Sequence, residues 1–299
     1  MKHVFYDLAW NPIRGCSKST DIGCANCSSI NHVKRLDEPK RRLLLESDGI
    51  RKANWSGNVI FDFSSLYEPF RHKKPTTFLV CTLGDLFHPK VEYRHIAAIL
   101  GVMSRCARHR FIVSTKWPDR INQFYEFLTN DQSPPLVEVD WQLLKLEVEI
   151  HPDGDQGPVH CSEDYDGDGI ATWPLTNLWV GASVSDQDSA NLRWNYLSNT
   201  ALVHRFMAFE PLLERISIEH WATLPDWMLI GGELGVGARA CHVEHIRELL
   251  KAKTSRCVSS LGSYPIEAEG RKLILRSRSA SNPFEWPADV RVQEVPWEE

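Results

Sequence analysis

Six short apolar runs rich in β-branched and aromatic residues constrain this chain more than any other feature. They are Thr77–Cys81 (TFLVC), Arg110–Ser114 (RFIVS), Leu178–Ser183 (LWVGAS), Val203–Phe209 (VHRFMAF), Trp227–Gly231 (WMLIG) and Lys272–Leu275 (KLIL). Helix-like patterns at Tyr93–Cys106, Asp119–Leu128, Asp188–Leu197 and Val243–Ala252 lie between them. Buried runs alternating with amphipathic stretches make βα units on a parallel sheet. Six such units in about 250 residues predict an α/β fold, a (β/α) barrel, complete or partial, as one domain over 1–299. A doubly wound open sheet satisfies the same count. Asp131–Thr172 interrupts the rhythm with Pro134–Pro135, several glycines and many acids. It reads as an acidic insertion carrying a hairpin around Gln142–Ile150.

Composition narrows the setting. Hydrophobic residues at 42% and charged residues at 24% are the balance of a soluble globular protein. The net charge of −5 argues against a protein that coats nucleic acid by bulk electrostatics, though not against a local basic groove. The basic side chains of Lys34, Arg35, Lys40, Arg41, Arg42 and Arg51 supply a candidate for one. No run of about 18 apolar residues suggests a membrane span, and the start is too short and polar for a signal peptide. A cytoplasmic, reducing setting is expected, with eight cysteines, far below a disulfide-scaffold density.

Three of the eight are clustered, as Cys16-x7-Cys24-x2-Cys27. The Cys-x2-Cys step lets two thiolates face one centre, and a third a short loop away completes a facial set. Gly15 and Gly23 precede the first two and permit tight turns. Three cysteines on a 4Fe–4S cluster leave one iron open, as binding of S-adenosylmethionine requires. Two rival readings stay open at this point: a zinc site of Cys3His type using His32, and three unligated thiols.

In a barrel, functional side chains stand where strands end. Here the strand ends lead into Thr82, Asp85 and His88; Thr115 and Lys116; Ser183; Glu210 and Pro211; and Gly231, Gly232, Glu233 and Arg239. Lys116 and Glu210 are candidate catalytic residues. Asp85, Ser183, Gly231, Gly232, Glu233 and Arg239 are candidate cofactor ligands, with Glu233 suited to an ammonium and Arg239 to a phosphate or carboxylate. For each taken singly, a solvated loop charge or a helix cap is the plainer account. Asp164–Gly169 has the first half of a calcium loop, but Leu175 stands where the twelfth-position acid belongs.

The ordered set WNPIRGC, GCANC, KKPTTFLVCTLGDLFHPKV, STKWPDRI, LWVGASVSDQ, FEPLL and LIGGELGVGARA resembles the phage-associated three-cysteine-motif proteins, a family of unknown function. The resemblance runs from Trp10 to about Gly262. It implies a radical-SAM-like barrel, a 4Fe–4S cluster on Cys16, Cys24 and Cys27, S-adenosylmethionine as cofactor, and a dedicated protein partner. Three departures stand out. Seven residues rather than the family's usual six separate the first two cysteines. Ser28 replaces the usual aromatic residue, and Ser259-Ser260 replace a Lys-Gln pair before Leu261-Gly262. The expected chemistry is hydrogen abstraction from a nucleic acid or nucleotide. The alternative is a zinc-stapled barrel that binds nucleic acid or a protein without catalysis.

Overall fold

The computed structural model describes residues 5–17, 20–47, 53–129, 174–233, 237–252, 257–259, 265–268, 271–274, 290 and 296–297. The acidic segment Asp131–Thr172, with its hairpin and calcium-loop candidates, lies outside them.

Seven parallel strands form the main sheet: β1 (Leu8–Trp10), β2 (Thr77–Val80), β3 (Arg110–Thr115), β4 (Leu178–Val184), β5 (His204–Phe209), β6 (Trp227–Ile230) and β7 (Cys257–Ser259). Each strand pairs with its predecessor in the chain, as in the registers Trp10↔Val80, Val80↔Val113, Ser114↔Gly181, Ala182↔Met207 and Ile230↔Phe209. Their order never reverses, so the switch point of a doubly wound sheet is absent among the described strands. No described pairing joins β7 to β1, so closure into a barrel is not seen.

Strand side chains alternate between two apolar environments, which is why the runs read as continuously hydrophobic. Phe78, Val80, Phe111, Val113, Val180, Ala182, Met207 and Met228 join the core beneath the helices. Ile112, Trp179, Phe206, Ala208, Trp227 and Leu229 fill the other face, packed with Phe5, Tyr6 and Trp297.

Four helices flank the sheet: α1 (Tyr93–Arg105), α2 (Asp119–Thr129), α3 (Gln187–Ser198) and α4 (Val243–Leu250). Helix α1 buries Ile96, Ala97, Ile99, Leu100, Val102 and Met103 along one stripe. Asp186 starts α3 with a capping box, accepting from the Ser189 amide at 2.8 Å while the Ser189 hydroxyl faces back to the Asp186 amide. No described helix is long and apolar enough to cross a membrane.

One expectation is corrected. The run at Lys272–Leu275 is a strand, Arg271–Ile274, but it does not join the main sheet. It pairs with Pro265–Ala268, which pairs with Cys241–His242 in a separate three-stranded sheet. Apolar content signals a strand without naming its partner. The main sheet instead recruits Leu8–Trp10 and Cys257–Ser259, three residues each and too short to show a period.

The long connection from β1 to β2 carries the cysteines. It contains the short helices Ser28–Val33 and Glu38–Leu44 and a hairpin of Leu45–Ser47 with Ala53–Trp55. Val33, Leu44 and Trp55 form a small core there, against which Cys16, Cys27 and Ile30 pack.

Candidate functional site

The cysteine loop lies over the C-terminal ends of the strands, and separate contacts place each thiol. Gly15 has φ of 97°, and a Cβ there would stand 2.1 Å from the Asn58 carbonyl oxygen, so glycine is required. Its amide donates to the Leu83 carbonyl at 2.8 Å, and it bridges Gly84 in parallel register, setting Cys16 beside the end of β2. Cys24 closes the tight turn Ile22–Cys24, capped by Asp21, which accepts from the Gly23 amide at 2.8 Å. Cys27 stands at the start of the helix Ser28–Val33, and Ser29 Oγ donates to the Thr82 carbonyl at 2.8 Å.

All three thiols are half-buried. Burial pushes Cys16 up to about 12, and the charges of Asp85, Cys24 and Cys27 add to the rise. Among the described residues, however, no three His, Cys, Asp or Glu side chains stand as the ligands of a metal ion. His32, the fourth ligand of the zinc alternative, is exposed.

Two ionic fastenings hold the loop down. In the first, the nearly buried carboxylate of Asp21 meets Lys116 Nζ at 3.0 Å and Arg193 Nη2 at 2.6 Å. Burial opposes the charge of Asp21, but the two cations together hold its pKa below the usual value. Lys116 follows β3, and Arg193, on α3, also donates to the Ser183 carbonyl at 2.5 Å. In the second, Glu233, 3% exposed, accepts from Asn26 Nδ2 at 2.8 Å and from Arg239 N and Nε at 2.9 Å each. Arg239 closes a further contact to Glu233 and donates to the Ile22 carbonyl at 2.8 Å. Burial works against the Glu233 charge too, and the Arg239 and Asn26 donors outweigh it.

The expected site residues are therefore brought to one end of the sheet, but several face each other. Glu233 and Arg239 are paired together, and Lys116 is paired with Asp21. Asp85, 6% exposed, knots the end of β2 to that of β3. Its oxygens accept from Thr115 Oγ1 at 2.7 Å and from the Phe87 and Lys116 amides at 2.9 Å each. Burial raises it to about 6 despite those donors. Ser183 Oγ donates to the Glu210 carbonyl at 3.2 Å, and Glu210 precedes Pro211 through a cis peptide. The Glu210 charge reaches Tyr6, whose hydroxyl rises to about 12, chiefly by burial. Gly231 links β5 to β6, donating to the Phe209 carbonyl at 3.0 Å and accepting from the Leu212 amide at 2.7 Å. Gly232 is buried beside it.

Sequence reasoning missed Asp21, Asn26 and Arg193. The first two lie inside the cysteine motif, the signal that could have drawn attention to them. Arg193, mid-helix, had none. His88, expected at the end of β2, is buried and meets Ser17 Oγ at 2.9 Å through Nε2. Burial, then the charges of Lys90 and Arg120, lowers its pKa to about 4, so it is neutral at pH 7.

These features define an α/β protein whose thiol-bearing loop is fastened over the strand ends of a parallel sheet wound in one direction. The chain belongs to the family described as "Protein of unknown function (DUF5131)", whose model matches residues 2–261. No curated protein and no solved structure matches it.

Proposed function

We propose that this protein is an iron–sulfur enzyme of the radical S-adenosylmethionine type, phage- or mobile-element-associated and cytoplasmic, acting on a nucleic acid or nucleotide. The observation behind the proposal is the fastening of the loop that bears Cys16, Cys24 and Cys27 over the strand ends of a sequentially ordered parallel sheet. That order is the order of a barrel, complete or partial, whose sites lie at this end.

The resemblance of the Cys16-x7-Cys24-x2-Cys27 motif to that of the phage-associated three-cysteine-motif proteins is what favours a cluster over a single zinc. A 4Fe–4S cluster held by Cys16, Cys24 and Cys27 would leave one iron open for S-adenosylmethionine and, once reduced by an external electron donor, would supply the electron for cleavage of its sulfonium. The chain's own part is to place the thiols, shield them, and give up their protons as metal enters. Lys34, Arg35 and Lys40 are exposed beside the loop and suit a phosphate backbone, whereas Arg41 and Arg42 pair with Glu38.

Anaerobic reconstitution with iron and sulfide tests the proposal. The expected result is about four irons per chain, iron–sulfur absorption, and 5′-deoxyadenosine on reduction with S-adenosylmethionine. One tightly held zinc per chain, or reduced cluster without cofactor cleavage, overturns it.

A further inference from the structure

The Cys-x2-Cys step is not rigid by itself, and α-helical or sheet hydrogen bonds do not hold it. What holds it is a set of side chains from distant parts of the chain. Asp21 caps the turn through Gly23, and its carbonyl accepts from the Cys24 amide at 2.9 Å. The same carboxylate reaches Lys116 after β3 and Arg193 on α3. Its side chain is 7% exposed, so both ion pairs are shielded from water and each resists displacement. Gly23 is pressed against Ser185, just past β4: a Cβ there would come within 2.1 Å of Ser185 Oγ. That hydroxyl is fully buried and has no hydrogen-bond partner among the described residues. Close approach of the turn to β4 is thus maintained against the cost of an unsatisfied hydroxyl. The ion pairs of Asp21 and the bond from Arg239 to the Ile22 carbonyl hold the turn there.

We propose that Asp21 is a positioning residue for the thiol centre: its carboxylate, anchored by Lys116 and Arg193, fixes the Ile22–Cys24 turn so that Cys24 faces Cys16 and Cys27. The inference rests on the reading of the three thiols as a metal centre. Asp21 is not itself a ligand in this role. It acts through the turn it caps.

Asp21→Asn keeps the shape and an acceptor for Gly23 but removes the charge that Lys116 and Arg193 hold. Full-length wild type and variant are reconstituted anaerobically with iron and sulfide. Iron release to a chelator and the EPR signal of the reduced centre are then followed. Loss of a residue that orients a metal ligand costs about 10- to 100-fold in metal retention. Iron release about tenfold faster, with an altered EPR signal, is the expected result. Val180→Ala serves as the control, since it truncates a buried side chain on the helix side of β4 and leaves the loop untouched. Release from Asp21→Asn at the wild-type rate overturns the role of Asp21. So does equal acceleration in Val180→Ala at a matched fall in melting temperature, which marks a general stability effect. Wild type that takes up no iron at all overturns the metal reading itself, a distinct outcome.

Discussion

Glu233→Gln tests how firmly the second fastening holds the cysteine loop. The wild-type carboxylate accepts from Asn26 Nδ2 at 2.8 Å and from the amide and Nε of Arg239 at 2.9 Å, with Arg239 Nη2 on its other oxygen. Glutamine keeps one oxygen, but its NH2 must face donors, so at least one bond is lost and one donor pair is opposed. Removing one member of a buried ion pair costs about 3–5 kcal/mol. Here the side chain of Arg239 is 36% exposed and can turn to water, which lowers the expected cost to about 2–3 kcal/mol. For a chain of this size that is a fall in melting temperature of roughly 3–5 °C.

The pH dependence has a definite sign. Glu233 titrates below its ordinary value of 4.5 in the folded state. Its contribution is therefore complete above about pH 4.5 and is lost as pH falls through the folded value. Melting curves of wild type and Glu233→Gln should stay separated by a constant gap from pH 6 to 8 and converge in acid. Hydrogen exchange adds the local readout: amides of Ile22–Cys27 should exchange faster in the variant, while those of β3 and β4 stay protected. Equal exchange of the loop in both proteins, or a gap that widens in acid, refutes the fastening.

Two further outcomes follow from the sheet and its ends. Gly181→Ala places a Cβ 2.4–2.5 Å from three Phe206 ring atoms, and that fully buried ring is backed by Trp227 at 5.2 Å. Overpacking should cost about 1–3 kcal/mol in urea unfolding, and Phe206→Leu in the same chain should recover part of it. Asp85, raised from 3.8 to about 6 by burial, binds its proton more tightly folded than unfolded. Its effect on stability should therefore fall by about 3 kcal/mol as pH rises from about 4 to 6 and then stay level. Thr115→Val, which removes the 2.7 Å donor, should move the Asp85 carboxyl titration upward in carbon NMR.

Much of this architecture is legible in the sequence because burial leaves a period. Helix Tyr93–Arg105 and strands such as Arg110–Thr115 differ from their sequence-based bounds by a residue at one end. Strand ends are legible too, since polar residues crowd where apolar runs stop. Long-range pairing is not. Arg193 contacts Asp21 across 172 positions, and Asn26 contacts Glu233 across 207, and no local pattern encodes either meeting. Three-residue strands fail for a different reason, being shorter than two full alternations of the pleat.

The polar strand ends therefore serve the loop before they serve any ligand, and this fixes the charge available to the thiols. Among the described residues that fasten the loop, at pH 7 Asp21, Asp85 and Glu233 contribute three negative charges and Lys116, Arg193 and Arg239 three positive ones. Buried His88, neutral at pH 7, adds none. The frame balances while the thiols stay protonated, and Cys16 titrating at about 12 keeps its proton through the physiological range. Ionising Cys16, Cys24 and Cys27 together adds three negative charges that these neighbours do not offset. On the proposed reading of the thiols as a metal centre, a positively charged occupant would supply that balance, and uptake of metal would release thiol protons. On that reading, metal loading should grow as pH rises, because each thiol that binds metal gives up its proton.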